Sequence, residues 1–100
     1  MRVERWTEGA RVDARELRRR MEADGYGVFE WSDPPGRTYA PHAHGEDQSH
    51  WIVSGALALT VDGREYVLEA GDRDFLPAGT VHAARVVGDE PVVYLIGARR

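Results

Sequence analysis

The sequence predicts an all-β domain of about eight short strands that follow one N-terminal α-helix. After residue 25, turn signals built from Gly, Pro and Asp recur about every 8–12 residues, a spacing typical of a β-sandwich or barrel. Runs of aromatic and β-branched residues lie between these turns. At 100 residues the chain is one domain, in which an arm and helix over residues 1–25 are expected to pack on a β-barrel over residues 26–97.

The helix is predicted over ARELRRRMEA, residues 14–23. Asp13 is a suitable N-cap, Glu16 has the spacing of a capping box, and a glycine shortly after the segment is a suitable stop. Leu17 and Met21 are four residues apart and therefore share one apolar face. The arginines of this segment have acidic partners close in the sequence, Glu16, Glu22 and Asp24, which favours a solvated, ion-paired face over an anion-binding cluster.

The strands are predicted from short runs bounded by breakers. In chain order they are YGVFEW, RTYAPH, QSHWIVS, ALALTV, REYVLE, RDFL, VHAARVV and VVYLI. Asp62-Gly63, between the fourth and fifth runs, is the strongest hairpin signal and predicts a type I′ turn. The polar tail Gly97–Arg100 is predicted to be frayed.

The chain has four histidines, and their positions indicate one metal site. His42, His44 and His50 lie within nine residues, whereas His82 follows a Pro-x-Gly turn much later. Residues two apart on a strand point to the same face, so His42 and His44 are expected to point inward together. Neutral imidazole is the commonest metal-ligating side chain, and three of them suit iron, copper, nickel, zinc or manganese.

Strand alternation also predicts the surroundings of the histidines. Before His42, Ala40 is expected to face inward and Tyr39 outward; on the next strand, His50 shares a face with Gln48. The inward residues near the histidines are predicted to be small and apolar, without an arginine: Ala40, Ile52, Ala84 and Val86. Four aromatic residues are interpreted as packing or dimer-interface residues rather than substrate platforms: Trp31, Tyr39, Trp51 and Tyr94.

Two spaced patterns resemble the motifs of the cupin family. Residues 36–55 carry G-x5-H-x-H-x3-Q-x6-G, which resembles the first cupin motif, and residues 71–82 carry G-x5-P-x-G-x2-H, which resembles the second. Fifteen residues separate the two, as in compact bacterial cupins. The resemblance implies a double-stranded β-helix, or jelly roll. It also implies one divalent transition metal ion inside the barrel, held by His42, His44 and His82, with Gln48 where the family has glutamate.

Gln48 is the departure from the family pattern. An amide oxygen is neutral, so four neutral ligands would leave a divalent ion uncompensated. The site is then expected to recruit hydroxide or an anionic substrate, or to hold its metal weakly. Gln48 is therefore a candidate ligand or a close neighbour of the ligands. His50 is a candidate catalytic acid or base, an additional ligand, or a hydrogen-bonded structural residue.

Three functions agree with these residues. The first is a mononuclear metalloenzyme that acts on a small molecule at a three-histidine centre. It is dioxygenase-like or isomerase-like, and the dioxygenase-like oxidoreductase is slightly favoured. The second is a non-catalytic module that binds or senses a small ligand. The third is a metal that only stabilises the fold. These residues leave open whether the chain is an enzyme.

Composition excludes several other classes. The chain has no cysteine and no lysine, which rules out disulfides, thiolate metal sites and Schiff-base chemistry. A net charge of −4 argues against a nucleic-acid partner, and no segment is apolar enough for a membrane partner, so a cytoplasmic location is expected. The short chain, with Trp6 and Trp51, predicts a homodimer; Trp6 docks either on its own domain or on a second subunit.

Overall fold

Nine strands form two antiparallel sheets, and one helix packs on the larger sheet. The computed structural model describes residues 1–100. The elements are β1 Arg2–Glu4, α1 Ala14–Ala23, β2 Gly27–Asp33, β3 Thr38–His42, β4 Asp47–Ser54, β5 Ala56–Val61, β6 Arg64–Glu69, β7 Arg73–Phe75, β8 His82–Val87 and β9 Val92–Arg99. The five-stranded sheet has the order β1-β7-β4-β9-β2 and the four-stranded sheet the order β3-β8-β5-β6. The predicted all-β jelly roll with one N-terminal helix is confirmed.

The core between the sheets comes from alternate residues of both. Ile52, Val92 and Tyr94 of the larger sheet pack against leucines and a valine of the smaller one: Leu57, Leu59, Leu68 and Val86. Full burial of each aliphatic side chain contributes about 1.5–3 kcal/mol. At one end of this core, Gly55 turns the chain from β4 into β5 with φ of 76°, and a Cβ there would collide with the backbone of Pro91.

The helix begins and ends where its sequence signals indicate. Asp13 is the N-cap and accepts a hydrogen bond from the Arg15 N–H at 3.0 Å. The capping box is incomplete, because the Glu16 carboxylate binds Arg19 and Arg20 instead. On the arginine-rich face, Arg19 and Arg20 are ion-paired with Glu16 and Glu8, whereas Arg18 donates to the Val28 carbonyl. At ten residues and with a charged face, α1 could not span a membrane.

The apolar face of α1 covers the outer side of the larger sheet. Leu17 and Met21 are buried against Tyr26, Trp51 and Leu95. The Tyr26 N–H donates to the Met21 carbonyl at 3.1 Å, and the intervening glycine has φ of 90°, which is the hydrogen-bonded C-terminus of a Schellman motif. The same turn that ends the helix therefore leads directly into β2.

The β5–β6 hairpin follows the prediction. Val61 pairs with Arg64 across a two-residue loop formed by Asp62 and Gly63. Both loop residues have positive φ, 50° and 75°, as a type I′ turn requires.

Both chain termini are more ordered in the fold than predicted. The segment Arg2–Glu4 was not predicted as a strand, yet it adds β1 to the edge of β7. The tail was predicted to fray, but β9 runs to Arg99, and Gly97 pairs with Val28 on one side and Ser49 on the other. Each terminal segment adopts a strand conformation because a neighbouring strand offers unpaired backbone N–H and C=O groups.

The N-terminal arm docks on its own domain. Trp6 lies directly over Gly71, where any Cβ would overlap the indole ring, and the Trp6 backbone N–H donates to Asp72 at 2.9 Å. Of the two alternatives for Trp6, docking on its own domain is therefore the one observed. Trp51 lies beneath the helix, 7% exposed.

Candidate metal centre

Three imidazole rings from the two motifs converge inside one end of the barrel. His42 ends β3, His44 lies in the following loop, and His82 begins β8. One ring nitrogen from each lies within 4.8 Å of the others. The ring centroids of His42 and His82 are 4.4 Å apart, and those of His44 and His82 are 5.3 Å apart. This group of donors is compact enough to hold one metal ion.

Backbone hydrogen bonds lock the two motifs together. The Gly79 N–H donates to the His44 carbonyl at 2.9 Å. Gln48 and Leu76 exchange two backbone hydrogen bonds, each of 2.8 Å. The Asp47 carboxylate accepts the Ala78 N–H at 2.9 Å, a role that the sequence did not reveal. The turn that precedes His82 is thus fixed to the loop that carries His44.

The alternation predicted for β3 is wrong, because the strand contains a bulge. Tyr39 pairs with Ala84 and His42 pairs with His82, so an advance of three residues along β3 corresponds to only two residues along β8. The extra residue reverses the alternation. Tyr39 therefore faces the interior, whereas Ala40, predicted to face inward, is exposed. His44 lies beyond the strand, so strand alternation does not explain its direction.

Backbone carbonyls fix the imidazole tautomers. His42 Nδ1 is 2.7 Å from the Ala40 carbonyl oxygen, and His82 Nδ1 is 2.9 Å from that of Thr80. A carbonyl oxygen only accepts, so each Nδ1 carries its hydrogen and each Nε2 keeps a free lone pair. Such bonds are the usual outer support of metal-ligating histidines. On this observation the residues fit a divalent transition metal ion.

The surroundings also favour neutral imidazoles. Burial, followed by the charges of the neighbouring histidines, lowers the pKa of His44. Burial lowers the pKa of His82, although the hydrogen bond to Thr80 opposes this shift. A lowered pKa leaves the ring neutral, and only the neutral ring binds a metal.

His50 lies beside the three histidines and is paired with a buried acid. Its ring centroid is 6.2 Å from that of His82. Its Nδ1 is 2.9 Å from Asp74 Oδ2, and its backbone N–H donates to Asp74 Oδ1 at 2.7 Å. Burial lowers the pKa of His50, but the charge and hydrogen bond of Asp74 outweigh it, so that the net pKa is raised. In the neutral ring with its hydrogen on Nδ1, facing Asp74, His50 Nε2 keeps a free lone pair, and His50 lines the cavity.

Sequence reasoning missed Asp74. It lies within the predicted strand RDFL. The only indication in the sequence is that a carboxylate stands in the middle of this short strand, directly before two apolar residues. Its partner is 24 positions earlier in the chain, so the pairing depends on β4 lying next to β7.

The histidines line a cavity of about 350 Å³, with Gln48 and His50 on its β4 wall. The rest of the wall is more aromatic than predicted: Phe29, Trp31, Tyr39 and Tyr94 line it, with Leu57 and Leu59. Ala84 lines the cavity as predicted, whereas Ile52 and Val86 lie deeper in the core. No arginine lines the cavity, as predicted.

Comparisons with known proteins agree with this geometry. The family model described as "Cupin domain" matches residues 29–96. Quercetin 2,3-dioxygenase from Bacillus subtilis (strain 168) is 32% identical over 84 residues, which cover 83% of this chain and 25% of that protein. The chain thus spans a quarter of the length of the curated relative that it matches.

Solved structures share the same barrel. An uncharacterized conserved protein with a double-stranded beta-helix domain, from Klebsiella pneumoniae subsp. pneumoniae MGH 78578, is 29% identical with a TM-score of 0.64. That match covers 71% of this chain and 64% of the other, slightly under two thirds. KdgF from Halomonas sp. is 29% identical with a TM-score of 0.61, over 73% of this chain and 68% of the other.

Proposed function

This chain belongs to the cupin family, and we propose that it binds one divalent transition metal ion through His42, His44 and His82. The observation that carries the proposal is the approach of three ring nitrogens to within 4.8 Å of one another. The carbonyl bonds at Nδ1 of His42 and His82 support it, because they leave Nε2 as the donor. The metal is iron, manganese, nickel, copper or zinc.

We further propose that the centre acts on a small molecule as a dioxygenase- or isomerase-like enzyme. A bound metal of this kind supplies Lewis-acid activation or, for iron and copper, redox chemistry. The similarity to a quercetin 2,3-dioxygenase over 83% of this chain supports this class. The cavity provides room for a substrate next to the histidines.

His50 is proposed as the proton-accepting residue of this site. Asp74 holds the hydrogen of His50 on Nδ1 and so orients Nε2 towards the cavity. An imidazole arranged in this way accepts a proton from a substrate hydroxyl and stabilises the resulting charge through its acidic partner. The alternative for His50, an additional metal ligand, uses the same free nitrogen.

A ligand-binding or sensing module without catalysis is the second candidate. The neutral character of Gln48 favours it, because a donor set without a carboxylate holds a divalent ion less firmly. The two candidates share the metal site and the cavity, and differ only in whether a bound molecule is converted.

The test begins with untagged, metal-free protein that is titrated with Zn(II), Co(II) and Fe(II) by calorimetry. We expect one ion per chain. Turnover is then assayed with Fe(II) and dioxygen over catechols, β-diketones and thiols. Formation of a product identifies the enzyme: oxygen consumption above that of Fe(II) without protein indicates a dioxygenase, and conversion without oxygen consumption indicates an isomerase. Saturable binding without conversion identifies the binding module. Absence of metal binding would contradict the proposal as a whole.

Replacement of Gln48 by Glu is expected to raise the affinity for Zn(II) by about tenfold or more, because a full negative charge would lie next to a divalent ion. Zn(II) titration in competition with a chelating dye measures this change. Ala43→Glu is the matched control, since it adds the same charge at an exposed position in the loop that precedes β4. Equal affinities for the Gln48→Glu variant and the native chain would place residue 48 outside the ligand set.

We also propose that the chain forms a homodimer. Trp6 and Trp51 do not support it, because both pack within their own chain. The support comes from β2, which is an edge strand of the five-stranded sheet and has one side without a neighbouring strand. Light scattering in solution measures the mass directly.

A further inference from the structure

Asp33, at the end of β2, binds three aromatic side chains of the cavity wall. Its carboxylate is 3% exposed. It accepts the Tyr39 hydroxyl at 2.8 and 2.9 Å from its two oxygens, the Tyr94 hydroxyl at 3.0 Å, and the Trp31 Nε1–H at 3.2 Å. None of these four residues belongs to the group of three histidines, although the Tyr94 ring lies 5.9 Å from that of His50. The network is therefore a second polar feature of the cavity wall.

The network fixes the direction of the hydrogen bonds. A carboxylate accepts and does not donate, so both tyrosines commit their hydroxyl hydrogen to Asp33. Each phenolic oxygen then keeps only lone pairs for any other partner. Burial, followed by the hydrogen bond and charge of Asp33, raises the pKa of Tyr94, so this hydroxyl stays neutral. Tyr94 is 5% exposed, whereas Tyr39 is only half-buried and is the more accessible acceptor.

The rest of the cavity wall carries no charged side chain. Arg37, which is exposed and does not line the cavity, lies over the Tyr39 ring with its guanidinium 5.0 Å from the ring centroid. At the mouth of the cavity, Phe29 and Trp31 stand edge to face, with ring centroids 6.4 Å apart, and both are about half exposed. Exposed aromatic faces of this kind favour contact with another planar ring.

We propose that the cavity selects an uncharged, planar molecule that donates a hydrogen bond to the Tyr39 oxygen, and that Asp33 sets this selectivity by holding the Tyr39 hydrogen. The inference deepens the proposed function, since it concerns the same cavity, but it applies to the metal-free protein as well. Tyr39 is a specificity residue and Asp33 a positioning residue. A phenolic or enolic hydroxyl on an aromatic ring has the required chemistry, and a volume of about 350 Å³ accommodates two fused rings.

Three probes with the same ring system test the inference: 2-naphthol, which donates a hydrogen bond; 2-methoxynaphthalene, which does not; and 2-naphthoate, which is an anion. Their dissociation constants are measured by equilibrium dialysis against metal-free protein. We expect 2-naphthol to bind about fivefold more tightly than the methyl ether, the value of about one net hydrogen bond. We expect 2-naphthoate to bind at least about tenfold more weakly than 2-naphthol, because a carboxylate has no hydrogen to donate to the Tyr39 oxygen and no cationic side chain other than a protonated histidine lines the cavity.

Two matched variants assign the selectivity to one oxygen. Tyr39→Phe should reduce the ratio of naphthol to methyl-ether affinity to about one, whereas Tyr94→Phe, which also removes one partner of Asp33, should leave that ratio unchanged. A ratio that survives in Tyr39→Phe, or a native preference for the ether or the anion, would overturn the inference. If Tyr39→Phe does not fold, the order of the three probes on the native chain decides alone.

The Zn(II) titration separates this inference from the proposed function. If the native chain binds the three probes in the expected order of affinity but does not bind zinc, only the metal site is contradicted. If it binds zinc but the order of the probe affinities differs from the expected one, only the selectivity is contradicted.

Discussion

Replacement of His82 by alanine is expected to lower the affinity for Zn(II) and Co(II) by more than about 100-fold. Changes to residues that merely support a metal ligand cost about 10–100-fold, and loss of a proposed ligand itself should cost more. His82 is the only one of the three histidines that comes from the second motif, and its ring lies closest to that of His42, at 4.4 Å. Without it, the remaining pair belongs to one short, partly exposed segment.

Competition with a chelating dye measures the loss, and the visible spectrum of the Co(II) form reports the coordination directly. Val81→Ala is the matched control, because it alters the same turn at a residue that is 59% exposed. Circular dichroism of both metal-free variants checks that the barrel is formed. Native affinity in a folded His82→Ala variant would mean that the three rings do not share an ion.

Local signals account for most of the fold. The turns are specified by residues that take positive φ or break a strand, and Asp62-Gly63 is an example in which two adjacent residues determine the hairpin. The helix likewise carries its own start and stop signals. Such features depend on neighbours in the chain, so a single sequence is sufficient to predict them.

The features that were missed depend on pairing between distant segments. β1 becomes a strand only because β7 offers an open edge. The β3 bulge depends on the register of β3 against β8, and one inserted residue exchanged the directions of Tyr39 and Ala40. The partners of Asp33 are up to 61 positions away, and no local pattern identifies them.

The candidate site likewise combines features that the sequence indicated with features that depend on distant segments. The spacing of His42, His44 and His82 indicated their convergence through the resemblance to the cupin motifs, and the structure brings the three rings together. The groups that orient the rings were not predictable, because they are backbone carbonyls for His42 and His82 and the buried Asp74 for the neighbouring His50. The sequence thus suggested which metal-binding side chains come together. The structure adds which ring nitrogen carries the hydrogen and which groups hold the rings in place.

Replacement of Asp74 by alanine is expected to lower the free energy of unfolding substantially. The carboxylate is completely buried and accepts both the backbone N–H and the ring Nδ1 of His50. Asp74→Ala would leave two buried hydrogen-bonding groups of His50 without a partner, next to a cavity. Loss of one member of a buried pair costs about 3–5 kcal/mol, a large part of the roughly 5–15 kcal/mol by which small domains are stable. Urea unfolding of the metal-free protein measures the change.

Asp74→Asn separates stability from orientation. Its amide retains one acceptor for the His50 N–H, so we expect a smaller loss of about 1–3 kcal/mol. Its NH2 group would face His50 Nδ1 and favour the tautomer that carries hydrogen on Nε2, which could then neither accept a proton nor bind a metal. Asp62→Asn, in the exposed hairpin turn, is the matched control and should change stability by less than about 0.5 kcal/mol. If His50 has only a structural role, Asp74→Asn will reduce stability while any turnover per folded molecule stays at the native value. If His50 accepts a proton, turnover will fall in the folded variant, because the free nitrogen of the ring is then occupied.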